Sequence, residues 1–267
     1  MLQDLRVEPG TGADLSGRSP DGRDKLSGKG EARKKLAGLV DELSLLHSRL
    51  YAEGTRSVLL VLQGLDASGK DGTIRSVLTG VNPQGCRIVA FKQPVGTEVE
   101  RDYLWRVHMV TPLRGEIGIF NRSHYEDVVA AHVRDIVPKK VWSRRPRHIR
   151  EFERLLVDEG TTVVKVFLHV SRDEQLKRLR ERLSNPEKAW KFRAADLDDR
   201  ARWDQFMHAY DEVIGKTSTK WAPWYVVPAD HNWVRNLLVA RLLVETLRVL
   251  DPRPPALDPS LAGLTIE

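Results

Sequence analysis

The sequence predicts an α/β fold in which a parallel sheet carries helices on both faces. Three observations carry that expectation. Short, strongly apolar runs recur along the chain, stretches of helical period lie between them, and polar, chemically capable residues follow directly after the apolar runs.

In chain order, residues 1–30 mix Gly, Ser, Asp, Arg and Lys without period and read as an extended or mobile arm. Leu36, Leu39, Val40, Leu43, Leu46 and Leu50 then follow an i, i+3, i+4, i+7 pattern, which predicts an amphipathic helix ending near Gly54. Residues 58–62 are too few for a helix and too apolar for a half-exposed strand, so they read as a central parallel strand. A helix beyond Thr73, a break at 80–83 and a second strand at 87–91 come next. Third and fourth strands are expected at 116–120 and 161–170, with a helix at about 141–158 between them. Residues 172–183 should be helical, and Asn185-Pro186 punctuates them. The charged segment 187–200 precedes a helix to about Gly215, a short strand at 224–227 and a helix at 233–250. The expected organisation is an arm at 1–30, one domain at 31–255 with a lid at about 178–200, and a tail at 256–267.

With 267 residues, 41% hydrophobic and 30% charged, the chain has the make-up of a soluble globular protein. No apolar run approaches the ~18 residues that would span a bilayer, and the first residues show no apolar signal core, so a cytoplasmic location is expected. Cys86 is the sole cysteine, which excludes an intrachain disulfide and any multi-thiolate metal site. The eight histidines show no zinc-ligand spacing. A formal charge of +6 implies an acidic partner, and nucleic acid, anionic membrane and a phosphate-rich small substrate all remain open on charge alone.

The stretch from Gly64 to Thr73 narrows that choice. Gly64, Gly69 and Gly72 allow a tight turn that aims successive N–H groups at one anion, with Ala67 and Ser68 inside it. Lys70 adds a point charge, and the following helix offers its positive end. The spacing is G-x-x-x-x-G-K, the Walker A pattern, placed as it should be after a buried strand and before a helix. Asp71 stands where most such loops carry the magnesium-binding Ser or Thr, with Thr73 two residues on and Asp66 inside the loop, so the metal must be held differently.

Ligands of open parallel sheets sit beyond the carboxyl ends of the strands. Lys92 follows the second strand, where a plain surface loop would explain it equally well. The third strand runs into Asn121-Arg122-Ser-His-Tyr-Glu126-Asp127. Arg178 and Arg182, spaced i, i+4 on one predicted helix face, could swing onto a phosphate as a lid closes. Trp190, Phe192, Trp221 and Trp224 read as core or hinge packing. Their irregular spacing argues against base stacking along a single nucleic-acid strand.

Five motifs in order, at 64–73, 80–85 (Gly-Val-Asn-Pro-Gln-Gly), 102–108 (Asp-Tyr-Leu-Trp-Arg-Val-His), 120–127 and 185–192 (Asn-Pro-Glu-Lys-Ala-Trp-Lys-Phe), together resemble the polyphosphate kinase 2 family. The resemblance spans roughly 36–250. It implies a P-loop kinase fold of the thymidylate-kinase type, a helical lid, dependence on Mg2+, and phosphoryl transfer between inorganic polyphosphate and a nucleotide by a homodimer or homotetramer. By this resemblance Asp66, Lys70, Arg122 and Arg178 are catalytic, and Lys70, Arg122, Arg178 and Arg182 bind polyphosphate. Lys92, Asn121, Arg122 and Glu126 bind nucleotide, and Asp66 with Glu126 holds metal. Asn121 replaces the Asp of many relatives, for which Glu126 or Asp127 would compensate, and the form of this motif resembles the subgroup acting on both AMP and ADP. The rival readings are an ATP-dependent nucleoside or nucleotide kinase of the same fold and a nucleotide- or nucleic-acid-binding module without catalysis.

Overall fold

A computed structural model describes residues 2–26 and 28–259. A one-turn helix α1 (Leu2–Leu5) leads into strand β1 (Arg6–Val7), and the long helix α2 (Lys29–Glu53) follows. Gly54 ends α2 in the left-handed region and donates its N–H back to Leu50, as the sequence pattern predicts. Then come β2 (Ser57–Gln63), α3 (Lys70–Val77), β3 (Cys86–Ala90), α4 (Trp105–His108), β4 (Ile117–Asn121) and α5 (Glu126–Val133). The helix expected at 141–158 is two: α6 (Lys139–Trp142) and α7 (Arg145–Asp158). Pro146, in the first turn of α7, has no N–H with which to continue the earlier helix, so the chain restarts there. Strand β5 (Thr161–His169), α8 (Arg172–Ser184), α9 (Pro186–Ala189), α10 (Ala195–Ala201), α11 (Trp203–Thr217), β6 (Trp224–Pro228) and α12 (Asn232–Leu250) complete the order.

The six strands lie in the order β1-β6-β5-β2-β4-β3. Five are parallel, and only β1 runs antiparallel, pairing Arg6 with Tyr225 and Val7 with Trp224. All seven residues of β2 are buried, which places this strand at the centre between β4 and β5. Helices α2, α3 and α12 pack together as one layer, and α5, α7 and α11 as another. No described helix is long and apolar enough to cross a membrane.

The expectation of an extended arm at 1–30 is corrected. Leu5, Val7, Ala13 and Leu15 are buried, Leu15 N–H donates to Asp211 at 2.9 Å, and Arg18 ties the segment together through the carbonyls of Asp4, Arg6 and Ala13. The segment is ordered because β6 offers Arg6 and Val7 an otherwise open sheet edge while Leu15 is tied to α11 through Asp211. Of the tail expected at 256–267, residues 260–267 lie outside the described residues.

Strand β5 carries one charge into the core. Lys165 and Glu153 are 0% and 1% exposed and meet at 2.5 Å. Lys165 also donates to the Thr217 carbonyl at 2.8 Å and to the Tyr125 hydroxyl, which in turn donates to Glu153. Burial pushes the Glu153 pKa up, but Lys165 and His124 outweigh it and hold it below the ordinary carboxylate value. Such a carboxylate contributes stability above its ordinary pKa and loses it as pH falls through its folded value. Lys165→Met should therefore cost about 3–5 kcal/mol in urea unfolding at neutral pH, because Glu153 is left buried and unpaired. The double change Lys165→Met with Glu153→Gln should recover most of that loss.

Candidate active site

The loop after β2 forms the expected cradle. Gly64 (φ 147°) needs its glycine, since a Cβ would meet the Leu168 carbonyl at 2.9 Å. Gly69 (φ 102°) caps α3, and a Cβ there would collide with the Arg235 guanidinium. Ala67 sits in the left-handed region at φ 60°, the kind of strain that persists only where surroundings enforce it. The first-turn amides of α3, at Lys70, Asp71 and Gly72, have no intrahelical acceptor and face the same end as the loop. Ser68 adds a buried hydroxyl with no hydrogen-bond partner among the described residues.

Lys70 is 8% exposed and folds onto the loop itself, donating to the Gly64 carbonyl at 2.6 Å and to that of Leu65 at 3.2 Å. Burial and the nearby Arg122 draw its pKa down to about 8, against the opposing pull of Asp66 and Glu126.

Beside it, two strand ends are joined by charge. Arg122, at φ 62°, extends from the end of β4 and pairs with Asp66 through one nitrogen and with Glu126 at 3.1 Å through another. Glu126 and Asp66 outweigh burial and hold Arg122 above the ordinary arginine value. For Asp66, burial works against the charge, but Arg122 and Lys70 keep its pKa below the usual range. With its amide oriented to suit its neighbours, Gln63 donates to Glu126 at 2.9 Å and so fixes the second carboxylate from below.

Asn121 donates its amide to Asp71 at 2.8 Å, and Lys191, between α9 and α10, reaches the other Asp71 oxygen at 3.0 Å. An aspartate at 121 would set two carboxylates in contact, so the Asn-Asp pair is self-consistent. Arg182 faces Asp196 of α10 at 3.4 Å and adds to the field that depresses Asp66.

Several of the expected residues have partners that the sequence did not show. Arg178 lies in the packed middle of α8, and all five of its donors are engaged: Glu174 through Nε, the Ala67 and Ser68 carbonyls through Nη1, and those of Ala229 and Asp230 through Nη2. Its i, i+4 partnership with Arg182 did not reveal that in this structure it clamps the P-loop. The Thr73 hydroxyl bonds back to the Gly69 carbonyl at 3.1 Å, as does its N–H at 3.0 Å. Asp127 turns away to Arg106 at 3.2 Å, and burial raises its pKa, so it does not stand in for an aspartate at 121. Lys92 is exposed; its carbonyl accepts from Arg106 at 2.7 Å, and Glu98 of the same loop lies 3.6 Å from that guanidinium. Trp190 is 75% exposed and not core, whereas Trp224 is fully buried. Sequence reasoning passed over Lys191 and Arg235. The first stood in a general run of charge, and the second is isolated in an apolar helix.

The donor set at the P-loop suits Mg2+, which keeps several waters and takes one or two carboxylates alongside substrate phosphates. Asp66 and Glu126, both on Arg122, are the two carboxylates that could serve in that way, and no cluster of three metal-binding side chains occurs among the described residues.

A phosphate cradle at the centre of a parallel sheet, flanked by paired carboxylates and guanidinium groups, defines a P-loop phosphotransferase. The family model for polyphosphate kinase 2 matches residues 26–254, and the chain belongs to that family. It is 52% identical over the full length of both chains to the AMP/ADP-polyphosphate phosphotransferase of Meiothermus ruber. With the ADP-polyphosphate phosphotransferase of Rhodopseudomonas palustris it shares 43% identity, over 96% of this chain and 93% of that one. The crystal structure of polyphosphate kinase 2 from Arthrobacter aurescens TC1 superposes with a TM-score of 0.91 at 39% identity, covering 96% of this chain and 92% of the other.

Three outcomes follow from this geometry. Lys70→Ala should cut turnover by ~100- to 1000-fold, the loss typical of removing one preorganised electrostatic group, and should also lower the melting temperature, since it leaves the buried Gly64 carbonyl without its donor at about 1–3 kcal/mol. A bound polyanion raises the Lys70 pKa, so binding takes up a proton, and donor affinity measured across pH should fall as pH rises past about 8. Arg178→Ala should lower both stability and turnover, since it orphans loop carbonyls at about 1–3 kcal/mol each. Arg178→Lys should not restore activity, because an ammonium cannot span both loops. A variant impaired only in saturation by the donor would assign Arg178 to direct phosphate contact instead.

Proposed function

We propose that this chain transfers the terminal phosphoryl group of inorganic polyphosphate, reversibly and with Mg2+, to both AMP and ADP. The observation that carries the reading is the junction of Asp66, Arg122 and Glu126 beside Lys70, where one guanidinium holds two carboxylates at the mouth of a phosphate cradle. The names of the relatives from Meiothermus ruber and Rhodopseudomonas palustris support the choice of donor and acceptors.

In this reading the amides of 69–72 and Lys70 hold the phosphoryl group in flight. Arg122 is released from its carboxylates toward phosphate oxygens as charge develops on them. Asp66 and Glu126, thereby freed, would hold Mg2+, which neutralises phosphate charge when bound. Transfer is in line, and the protein contributes positioning and charge neutralisation rather than a covalent intermediate. The lid, expected at about 178–200, is the part of that stretch beyond α8, because Arg178 fastens α8 to the P-loop; Lys191 is latched on Asp71 in this structure, and Arg182 meets Asp196. Glu126, anchored by Gln63 and Arg122 and set apart from Lys70's own loop, lets one site serve acceptors that differ by a phosphate. Exposed Ile88 on the edge strand β3, with Val95, Val99 and Met109 also exposed, supports assembly as a homodimer or homotetramer. The same reading places the enzyme in the cytoplasm.

The test supplies AMP or ADP with Mg2+ and polyphosphate and no ATP. ADP and then ATP should appear from AMP, and ATP from ADP. Glu126→Ala should change the ratio of AMP to ADP use more than it changes the melting temperature. A parent that phosphorylates ADP and leaves AMP untouched at high concentration removes AMP from the acceptors, and one active only with ATP as donor replaces the reading by an ordinary nucleotide kinase.

A further inference from the structure

Helix α12 supplies a dense run of buried apolar side chains, Val234, Leu237, Leu238, Val239 and Ala240 among them. Arg235 interrupts that run near the start of the helix. It is only 4% exposed, and among the described residues no carboxylate forms an ion pair with it. Its Nη1 donates to the Ser68 carbonyl at 3.2 Å and its Nε to Asn236 Oδ1 at 3.2 Å. The guanidinium fills the space that a Cβ on Gly69 would need, and Nη2 lies 3.4 Å from where a Cβ on Gly72 would stand. Arg235 is therefore pressed against the back of the P-loop from Ser68 to Gly72.

A second guanidinium converges on the same atom, since Arg178 Nη1 also donates to the Ser68 carbonyl at 3.2 Å. Buried cations are normally paired, because desolvation is costly and like charges add to the cost. Here burial and Arg178 draw the Arg235 pKa down to about 10. Among the described residues no acid is paired with this charge. What lies on the opposite side of the loop is the cradle itself, where the first-turn amides gather.

The peptide linking Ser68 to Gly69 connects the two sides. In a trans peptide the C=O and N–H point in opposite directions, so a donor on the Ser68 oxygen behind the loop turns and polarises the Gly69 N–H toward the front. We propose that Arg235 is a positioning residue for the phosphate donor: it fixes the Ser68–Gly69 peptide and places an unneutralised positive charge behind the P-loop, balanced only when a polyanion occupies the front. This rests on the reading of polyphosphate as donor and assigns to that site a residue outside its contact surface.

A packing role and this role give opposite signs for the free protein. Replacing an unpaired buried cation by an apolar group of similar length is neutral or stabilising, whereas removing a packing residue is destabilising. The experiment compares the parent with Arg235→Met, Arg235→Lys and Arg235→Gln. It measures melting with and without inorganic tripolyphosphate, the KM for polyphosphate and for AMP, and the response of each to NaCl. Arg235→Met should melt at or above the parent temperature when free and gain less from tripolyphosphate. Its KM for polyphosphate should rise about tenfold, the effect of one charge acting across several ångströms of protein. Its KM for AMP should stay within about twofold. Arg235→Lys should retain more donor affinity than Arg235→Met, and the salt dependence of the polyphosphate KM should be shallower without the charge.

A methionine variant that melts lower while keeping the parental polyphosphate KM overturns the proposal, as does an equal rise in both KM values. If the methionine variant does not fold, Arg235→Gln still donates to Ser68 without charge, and a parental polyphosphate KM there overturns the electrostatic role. A parent that transfers nothing from polyphosphate refutes the functional reading instead. The tripolyphosphate melting shift, which needs no turnover, then decides on Arg235 by itself.

Discussion

A loop that aims its amides at an anion must leave its carbonyls facing the protein, and those carbonyls need donors. That requirement organises much of this molecule. The Gly64 carbonyl takes Lys70, Leu65 takes Lys70 and the Ser68 N–H, and Asp66 takes Gln175 Nε2 at 3.0 Å. Ala67 takes Arg178, Ser68 takes Arg178 and Arg235, and Gly69 takes Thr73. Every carbonyl from 64 to 69 is thus satisfied, as buried backbone must be. The donors come from α3, α8 and α12, so three helices far apart in sequence are held in register by one loop. The left-handed Ala67 is tolerable because Arg178 holds its carbonyl from outside.

Charge balance at the front of the loop follows a second rule. Asp66, Asp71 and Glu126 are each engaged by a cation or an amide, and each engagement is of a kind that phosphate or metal can replace. Behind the loop, Arg178 and Arg235 are bound to carbonyls, which a substrate does not displace. The site therefore has exchangeable partners on one side and fixed ones on the other. A polyanion entering it meets cations already oriented and carboxylates ready to change partner, with little reorganisation of the backbone.

Much of this was legible from residue pattern. The central strand was plain from its apolar run, the cradle from glycine spacing, and the convergence of strand ends from the parallel topology. Side-chain direction was less accessible. Arg178 and Arg182 share a helix face by spacing, yet one turns to the P-loop backbone and the other to Asp196, a difference set by tertiary neighbours. Asp127 read as a spare carboxylate because Arg106, twenty-one residues earlier in the chain, is invisible to local pattern. Arg235 was hidden by its company, since a lone arginine in an apolar helix reads as an interruption and not as a contact. The arm escaped because β1 is only two residues long and draws its order from an edge supplied near the other end of the sequence.

That last pairing bears on how the chain reaches its fold. Strand β1 is made before the other strands of the sheet, yet the edge it completes, β6, is the last of them, and the two register Arg6 against Tyr225. Throughout elongation the first segment has no sheet to join, and the nascent β6 edge is open when it emerges. Closure is a contact of very long sequence separation, which belongs to the slow and final events of folding. The arm then seals an edge that would otherwise be free to pair with another chain. Its residues therefore act as a clasp fastened after the rest is built, protecting the finished sheet at one side while β3 stays open at the other.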